Sequence, residues 1–412
     1  MSGRVRVELS TMMFIEFFVW GAWFVTMGTY LNEIGFRGTE IALAYSTTAW
    51  AAVFSPFFVG MIADRFFSAQ KVLGVMHLLG GVLIFAASQI TSPLLFFIVL
   101  LAYALTYMPT LALVNAISFN QMQDPGKEFP SVRVLGTLGW IIAGLIVSFL
   151  KLEPTAVPLQ IAAGASFILG FYSFALPSTP PKSAGKKVTA GDVLGLDALK
   201  LMKDPSFTIF VVASLLICIP LSFYYSFANL FFNETGMTNA AAKMSMGQGS
   251  EVFFMLVMPF FFARLGVKKM LLVGMAAWVG RYFLFAYGNN GALVTMFYGG
   301  ILLHGICYDF FFVTGQIYVD RKAPKEIQAS AQGFLGLVTY GVGMVIGNYV
   351  AGFIVQNYEL MENEAVAGHA WKTIWLIPGI MAGVVMVAFA LMFREKEEAV
   401  AVEEAAPATA EE

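Results

Sequence analysis

Apolar runs of about 18–25 residues recur along almost the whole chain, and that is the length an α-helix needs to cross the hydrocarbon of a bilayer. Twelve such runs are expected, at roughly 11–31, 42–62, 72–90, 94–118, 133–150, 158–176, 207–232, 243–263, 270–288, 293–318, 330–355 and 371–393. Composition agrees. Of 412 residues, 58% are hydrophobic and only 12% are charged, against about 25% charged in a soluble domain. The fold class that follows is an all-α membrane protein with twelve transmembrane helices.

The segments between the runs set the organisation. The start, "MSGRVRVELSTMMFIEFFVWGAWFV", is basic, but its apolar stretch continues to about Leu31 without a small-residue cleavage site. It reads as a first span and not as a removable signal peptide. The longest break, 178–206, is rich in Pro, Gly, Ser and Lys. It is a solvated linker, with a short interfacial helix expected near 192–203. The acidic, low-complexity stretch 394–412 is expected to be a disordered tail. Residues 1–177 and 207–393 then form two six-helix halves. The turns "GMIADRFFSAQKVL" and "FFFARLGVKKML" put a basic cluster at the same point of each half. Two such halves with a site between them near the midplane is a transporter architecture. With the N-terminus in the cytoplasm, the clusters at 4–6, 65–71, 182–203, 264–269, 321–325 and 394–396 all fall inside, and only Arg37, Lys151, Lys243 and Lys372 fall outside. That bias puts both termini in the cytoplasm.

Several function classes drop out. The formal net charge of −2 argues against nucleic acid as a partner. Cys218 and Cys307 lie in apolar runs and offer neither a disulfide framework nor metal-ligand spacing. The sequence has no phosphate-binding loop, no nucleophile elbow and no His/Cys metal cluster, so neither an enzyme, a cofactor nor an ATP-driven pump is expected. His304 and Asp309 have the H-x4-D spacing of acyltransferases. Inside one helix, however, they stand about 140° apart around the axis and cannot meet as a base and its orienting acid.

A charged side chain at the bilayer centre costs roughly 2.5–3.5 kcal/mol on insertion scales, so each one needs a reason. Glu251 and Asp309 lie several turns from either end of their spans, too deep for a short side chain to reach water. Gln248 and Glu251 share a face of span eight by their i, i+3 spacing. His304 and Tyr308 share a face of span ten, with Asp309 about 100° round from Tyr308. Arg133, Thr137 and Trp140 form an i, i+4, i+7 stripe on span five. Span seven adds Ser222 and Tyr225, and span one adds Glu16, Trp20 and Trp23. Plainer roles compete: Arg133 and Glu16 can reach the headgroups, Ser222 can bond its own helix backbone, the tryptophans can be packing, and Arg281 is expected to serve an acid or carbonyl structurally.

The stretches "WGAWFVTMGTYL", "YMPTLALVNAISF", "FPSVRVLGTLGW", "QGSEVFFMLVMPFF", "DFFFVTG" and "ASAQGF" carry a resemblance. The chain resembles the bacterial nucleoside:proton symporter family of the major facilitator superfamily. The Gly60-x3-Asp64-Arg65 loop is similar to the signature of that superfamily, without its usual following Gly-Arg pattern. The resemblance implies a substrate site built from both halves. Arg133, Thr137 and the aromatic at 140 match its span-five positions, Gln248 and Glu251 its span-eight pair, and Asp309 its span-ten acid. This chain departs from the family at five positions. Trp140 replaces the more usual Phe, and Ser222 and Tyr225 stand where the family has two span-seven amides. His304 stands for a Tyr, and Tyr308 for a Phe.

The resulting expectation is an importer in the bacterial inner membrane that moves a nucleoside with a proton by alternating access. Arg133, Thr137, Trp140, Ser222, Tyr225, Gln248, Glu251, His304 and Tyr308 are expected to contact substrate, and Asp309, Glu251 and Glu16 to handle the proton. Residue chemistry supports this separately. A base stacks on Trp140 or Tyr308, ribose hydroxyls find partners in Gln248, Glu251 and Arg133, and a carboxyl in low dielectric can take up and release a proton. The alternatives are a proton-coupled symporter of a sugar or other small polar solute, and a receptor that binds without transporting.

Overall fold

The computed structural model describes residues 1–58, 67–180, 196–363 and 365–394. The Gly60-x3-Asp64-Arg65 loop, most of the linker and the acidic tail lie outside the described residues. Before the linker stand α1 (Gly3–Trp23), α2 (Met27–Glu33), α3 (Gly38–Phe58), α4 (Ala69–Ala87), α5 (Pro93–Asn120), α6 (Pro125–Phe149) and α7 (Val157–Ser173). A 3₁₀ turn at Leu196–Lys203 occupies part of the expected interfacial segment. After it come α8 (Pro205–Glu234), α9 (Ala240–Tyr287), α10 (Val294–Lys322), α11 (Ser330–Asn357), a small antiparallel hairpin of β1 (Glu359–Glu362) and β2 (Ala365–His369), and α12 (Trp371–Met392).

Among the described residues nine helices, counting α1 with α2, are long and apolar enough to cross a membrane, and α7 is apolar but shorter. With α3, they lie where the twelve runs lie in the sequence. The outward-facing side chains are themselves apolar, Leu256 and Leu391 among them, as a surface against hydrocarbon requires. The turn expected between the eighth and ninth runs is short: α9 comprises two helices that meet at Gly266, whose non-helical backbone, with φ of 66°, only glycine adopts without strain.

Three local irregularities position the site. The first span breaks between α1 and α2, and the Tyr45 hydroxyl mends the break. It donates to the Phe24 carbonyl at 2.8 Å and accepts from the Gly28 N–H at 3.0 Å, so the freed backbone groups keep partners. In α10, residues Asp309–Val313 form a π turn, and in α11, residues Leu337–Gly343 form another. Such bulges turn a few side chains off the regular helical face and often mark functional positions.

Packing divides along the linker. α1 lies on α6 and α7, and α4 on α5 and α7; α9 lies on α10 and α12, and α8 on α11 and α12. Helices before the linker meet those after it through α3 with α11, α6 with α9, and α2 with α8.

Candidate site between the two sets of helices

Phe24, Trp140, Tyr224, Tyr225, Met244 and Gln248 line a cavity where α6 meets α8 and α9. The break after α1 swings Phe24 into this lining. Gly21 allows α6 to come close: a Cβ there would stand 2.8 Å from the Cα of Trp140. Trp140 meets Trp20 edge to face, with ring centroids 5.4 Å apart. Phe24 lies 6.1 Å from Tyr225 and 6.2 Å from Trp140. The lining is thus a cluster of aromatic faces with one amide. The Gln248 amide is satisfied when its nitrogen is assigned to the side facing the Met244 carbonyl, 3.1 Å away, an assignment that leaves its oxygen to accept from a ligand.

A polar layer lies behind. The Tyr224 ring is 5.6 Å from His304, and His304 Nε2 is 3.7 Å from Glu251 Oε2. Glu251 keeps 27% of its side chain exposed while His304 keeps 5%. Arg133 lays its guanidinium over the Phe17 ring at 4.1 Å, and its charge interacts with Glu251 and Tyr308 across the gap between the two sets of helices. Arg133 therefore faces the protein interior and not the headgroups. Thr137, half-buried, follows Arg133 by one turn of α6. Tyr308 and Tyr340 share a hydrogen bond of 3.0 Å between their hydroxyls. Asp309 is fully buried, and neither carboxyl oxygen has a hydrogen-bond partner among the described residues. It opens the π turn of α10. Ionising a carboxyl without a donor or a cation in low dielectric is costly, so its proton is held or released according to what surrounds it.

Two of the expected site residues lie elsewhere. Ser222 donates to the Cys218 carbonyl of its own helix at 2.9 Å and packs against Gly347 of α11. Glu16 is fully buried within the first six spans. It bonds His77 Nε2 at 2.8 Å and accepts from the Thr110 hydroxyl at 2.6 Å, so it does not reach the headgroups. Arg281 corrects its sequence expectation. It is fully buried and finds no acid or carbonyl among the described residues; its guanidinium lies 3.4 Å from the centre of the Tyr224 ring. A cation over an aromatic face is stabilised by the ring quadrupole, which offsets part of the cost of burying the charge.

Sequence reasoning missed Phe24, Tyr224, His77 and Tyr340. His77 was reachable, because an ionisable residue within an apolar span asks for a partner. Phe24 and Tyr224 carried no such signal among 40 phenylalanines and 15 tyrosines.

Comparison with known proteins identifies the family. A family model described as "Nucleoside H+ symporter" matches residues 3–398. YegT of Escherichia coli (strain K12) is 45% identical over 96% of this chain and 95% of its own length. Xanthosine permease of the same organism is 33% identical over 90% of this chain and 92% of its own. The crystal structure of the nucleoside transporter NupG superposes with a TM-score of 0.87 at 33% identity, covering 95% of this chain and all of that one. The fold is that of the major facilitator transporters, and the chain belongs to the nucleoside H+ symporter family.

Proposed function

We propose that this protein imports a nucleoside together with a proton, binding the nucleoside in the aromatic cavity between the two six-helix halves, 1–177 and 207–393. The observation that carries the reading is the juxtaposition of that aromatic lining with Glu251 and Asp309, two carboxyls in the membrane interior. A base stacks on Trp140, Tyr225 or Phe24, and stacking tolerates purines and pyrimidines alike. Gln248 and Glu251, one turn apart on α9, take ribose hydroxyls, with Arg133 and Thr137 opposite them on α6. His304 and Tyr308 bound the side of α10, and Ser222 acts through packing.

Asp309 is the principal proton carrier. Glu251 links the proton to substrate because it can touch both. Glu16 is a secondary proton site, joined to His77. The membrane is the bacterial inner membrane, with both termini in the cytoplasm, as the Lys and Arg bias supports. The family model and the aromatic lining both favour a nucleoside over the sugar alternative. Uptake of labelled nucleoside by vesicles with and without an imposed pH gradient tests the reading. Nucleoside should be concentrated only when the outside is acidic, and uptake indifferent to the gradient would refute the coupling.

A further inference from the structure

At the end of the bundle that carries Arg37 and Glu153, two sets of hydrogen bonds join the helices on either side of the linker. Each set centres on a buried carboxylate. Glu153, in the α6–α7 connection, is 4% exposed. Its Oε1 accepts from the Ala241 N–H at 3.1 Å and the Ser148 hydroxyl at 2.6 Å. Its Oε2 accepts from the side-chain amides of Asn229 and Asn233, each at 2.9 Å. Glu359, in the connection between α11 and α12, has a side chain 1% exposed. Its Oε1 accepts from the Gly38 N–H at 2.8 Å, and its Oε2 from Arg37 Nε and Nη2 at 2.8 and 2.6 Å. Beside it, the Gln356 side chain accepts from the Thr39 N–H at 3.1 Å.

The two sets are the same device used twice. Ala241 is the second residue of α9, whose own N-cap, Asn239, offers no side-chain bond. Gly38 is the first residue of α3. The first N–H groups of a helix have no partner within it, and its N-terminus carries partial positive charge, so a carboxylate there is a strong cap. Here each cap comes from across the gap. The fifth-to-sixth-span connection caps the eighth span, and the eleventh-to-twelfth-span connection caps the second. By span order these positions correspond between the two sets of six spans, as do the paired contacts α3 with α11 and α6 with α9.

We propose that Glu153 and Glu359 form a reciprocal latch that closes this end of the transporter, and that releasing both lets it open. The caps exist only while the two sets of helices meet. Separation strips both helix ends and leaves two carboxylates to be rehydrated. The backbones themselves are fitted for closure: a Cβ on Gly28 would stand 2.6 Å from the Ser226 carbonyl oxygen. Glutamine preserves size at either position but has one acceptor oxygen, and it turns an N–H₂ toward groups that are already donors. Each substitution therefore weakens closure without removing packing. The inference goes beyond nucleoside uptake and needs no substrate for its test.

The test is pulsed electron-spin resonance on the full chain in lipid nanodiscs. Spin labels go at Glu33→Cys and Glu362→Cys, exposed positions at this end on opposite sides of the linker. Both native cysteines are buried and are replaced by alanine. The parent should show mainly a short distance. Glu153→Gln and Glu359→Gln should each raise the long-distance population, and the double variant should be mainly long. If Glu153→Gln yields no folded protein, Glu359→Gln and Arg37→Gln carry the test alone. Distance distributions identical to the parent in variants that elute and melt like it would overturn the latch.

Discussion

His304 Nε2 stands 3.7 Å from Glu251 Oε2, with its ring 5.6 Å from Tyr224 of the cavity lining. The imidazole thus bridges an aromatic wall of the cavity and a carboxyl that is about one quarter exposed. On the proposed function, this is the route by which a ligand in the cavity and a proton on Glu251 would sense each other.

Glu251→Gln keeps the shape and the hydrogen-bonding capacity of the side chain but cannot titrate. It should still bind nucleoside, with the pH dependence of binding flattened, and it should fail to concentrate it. Calorimetric titrations at several pH values check this. A wild-type pH profile in the variant would move the coupling proton elsewhere, with Asp309 and then Glu16 next in line.

Asp309→Asn removes the ionisable group from a buried position where neither oxygen has a partner. Because no ion pair is broken, the protein should fold and insert. Gradient-driven accumulation should be lost while exchange of internal for external nucleoside continues. Accumulation at the parent level would remove Asp309 from the mechanism.

Trp140→Ala should weaken nucleoside binding by about 1–3 kcal/mol, with similar losses for purines and pyrimidines, because base stacking is tolerant of sequence. Trp140→Phe should retain much of the affinity. Unchanged binding in Trp140→Ala would show that its 5.4 Å edge-to-face contact with Trp20 is its whole role.

His77→Ala strands Glu16 with the Thr110 hydroxyl as its remaining side-chain partner. Leaving a buried polar group short of a hydrogen-bond partner costs about 1–3 kcal/mol. Thermal unfolding in detergent should show a clearly lowered midpoint, and a midpoint equal to the parent's would mean that the pair contributes little.

Span positions and the interior carboxyls could be read from sequence because long apolar runs and isolated charges each impose a cost that only one kind of environment meets. The helical stripes did the same for Arg133, Thr137 and Trp140, which follow one another along α6, and for Gln248 with Glu251. Contacts between distant elements were not legible. Nothing local in the sequence pairs Glu16 with His77 or Glu153 with the start of α9. Arg281 was expected to find an acid and instead lies on the Tyr224 ring, because a buried cation can be met by an aromatic face as well as by a charge. The turn between the eighth and ninth runs was legible in the polar cluster "RLGVKK", and the helix breaks within it at Gly266.

Purified protein in proteoliposomes, given labelled nucleoside and a pH jump, tests the central claim most directly. With acid outside, the parent should accumulate nucleoside above the external concentration, and a protonophore should collapse the gradient to equilibrium. Asp309→Asn in the same vesicles should equilibrate and go no further. Accumulation that survives the protonophore, or parent vesicles that take up no nucleoside under any gradient, would contradict proton-coupled nucleoside import.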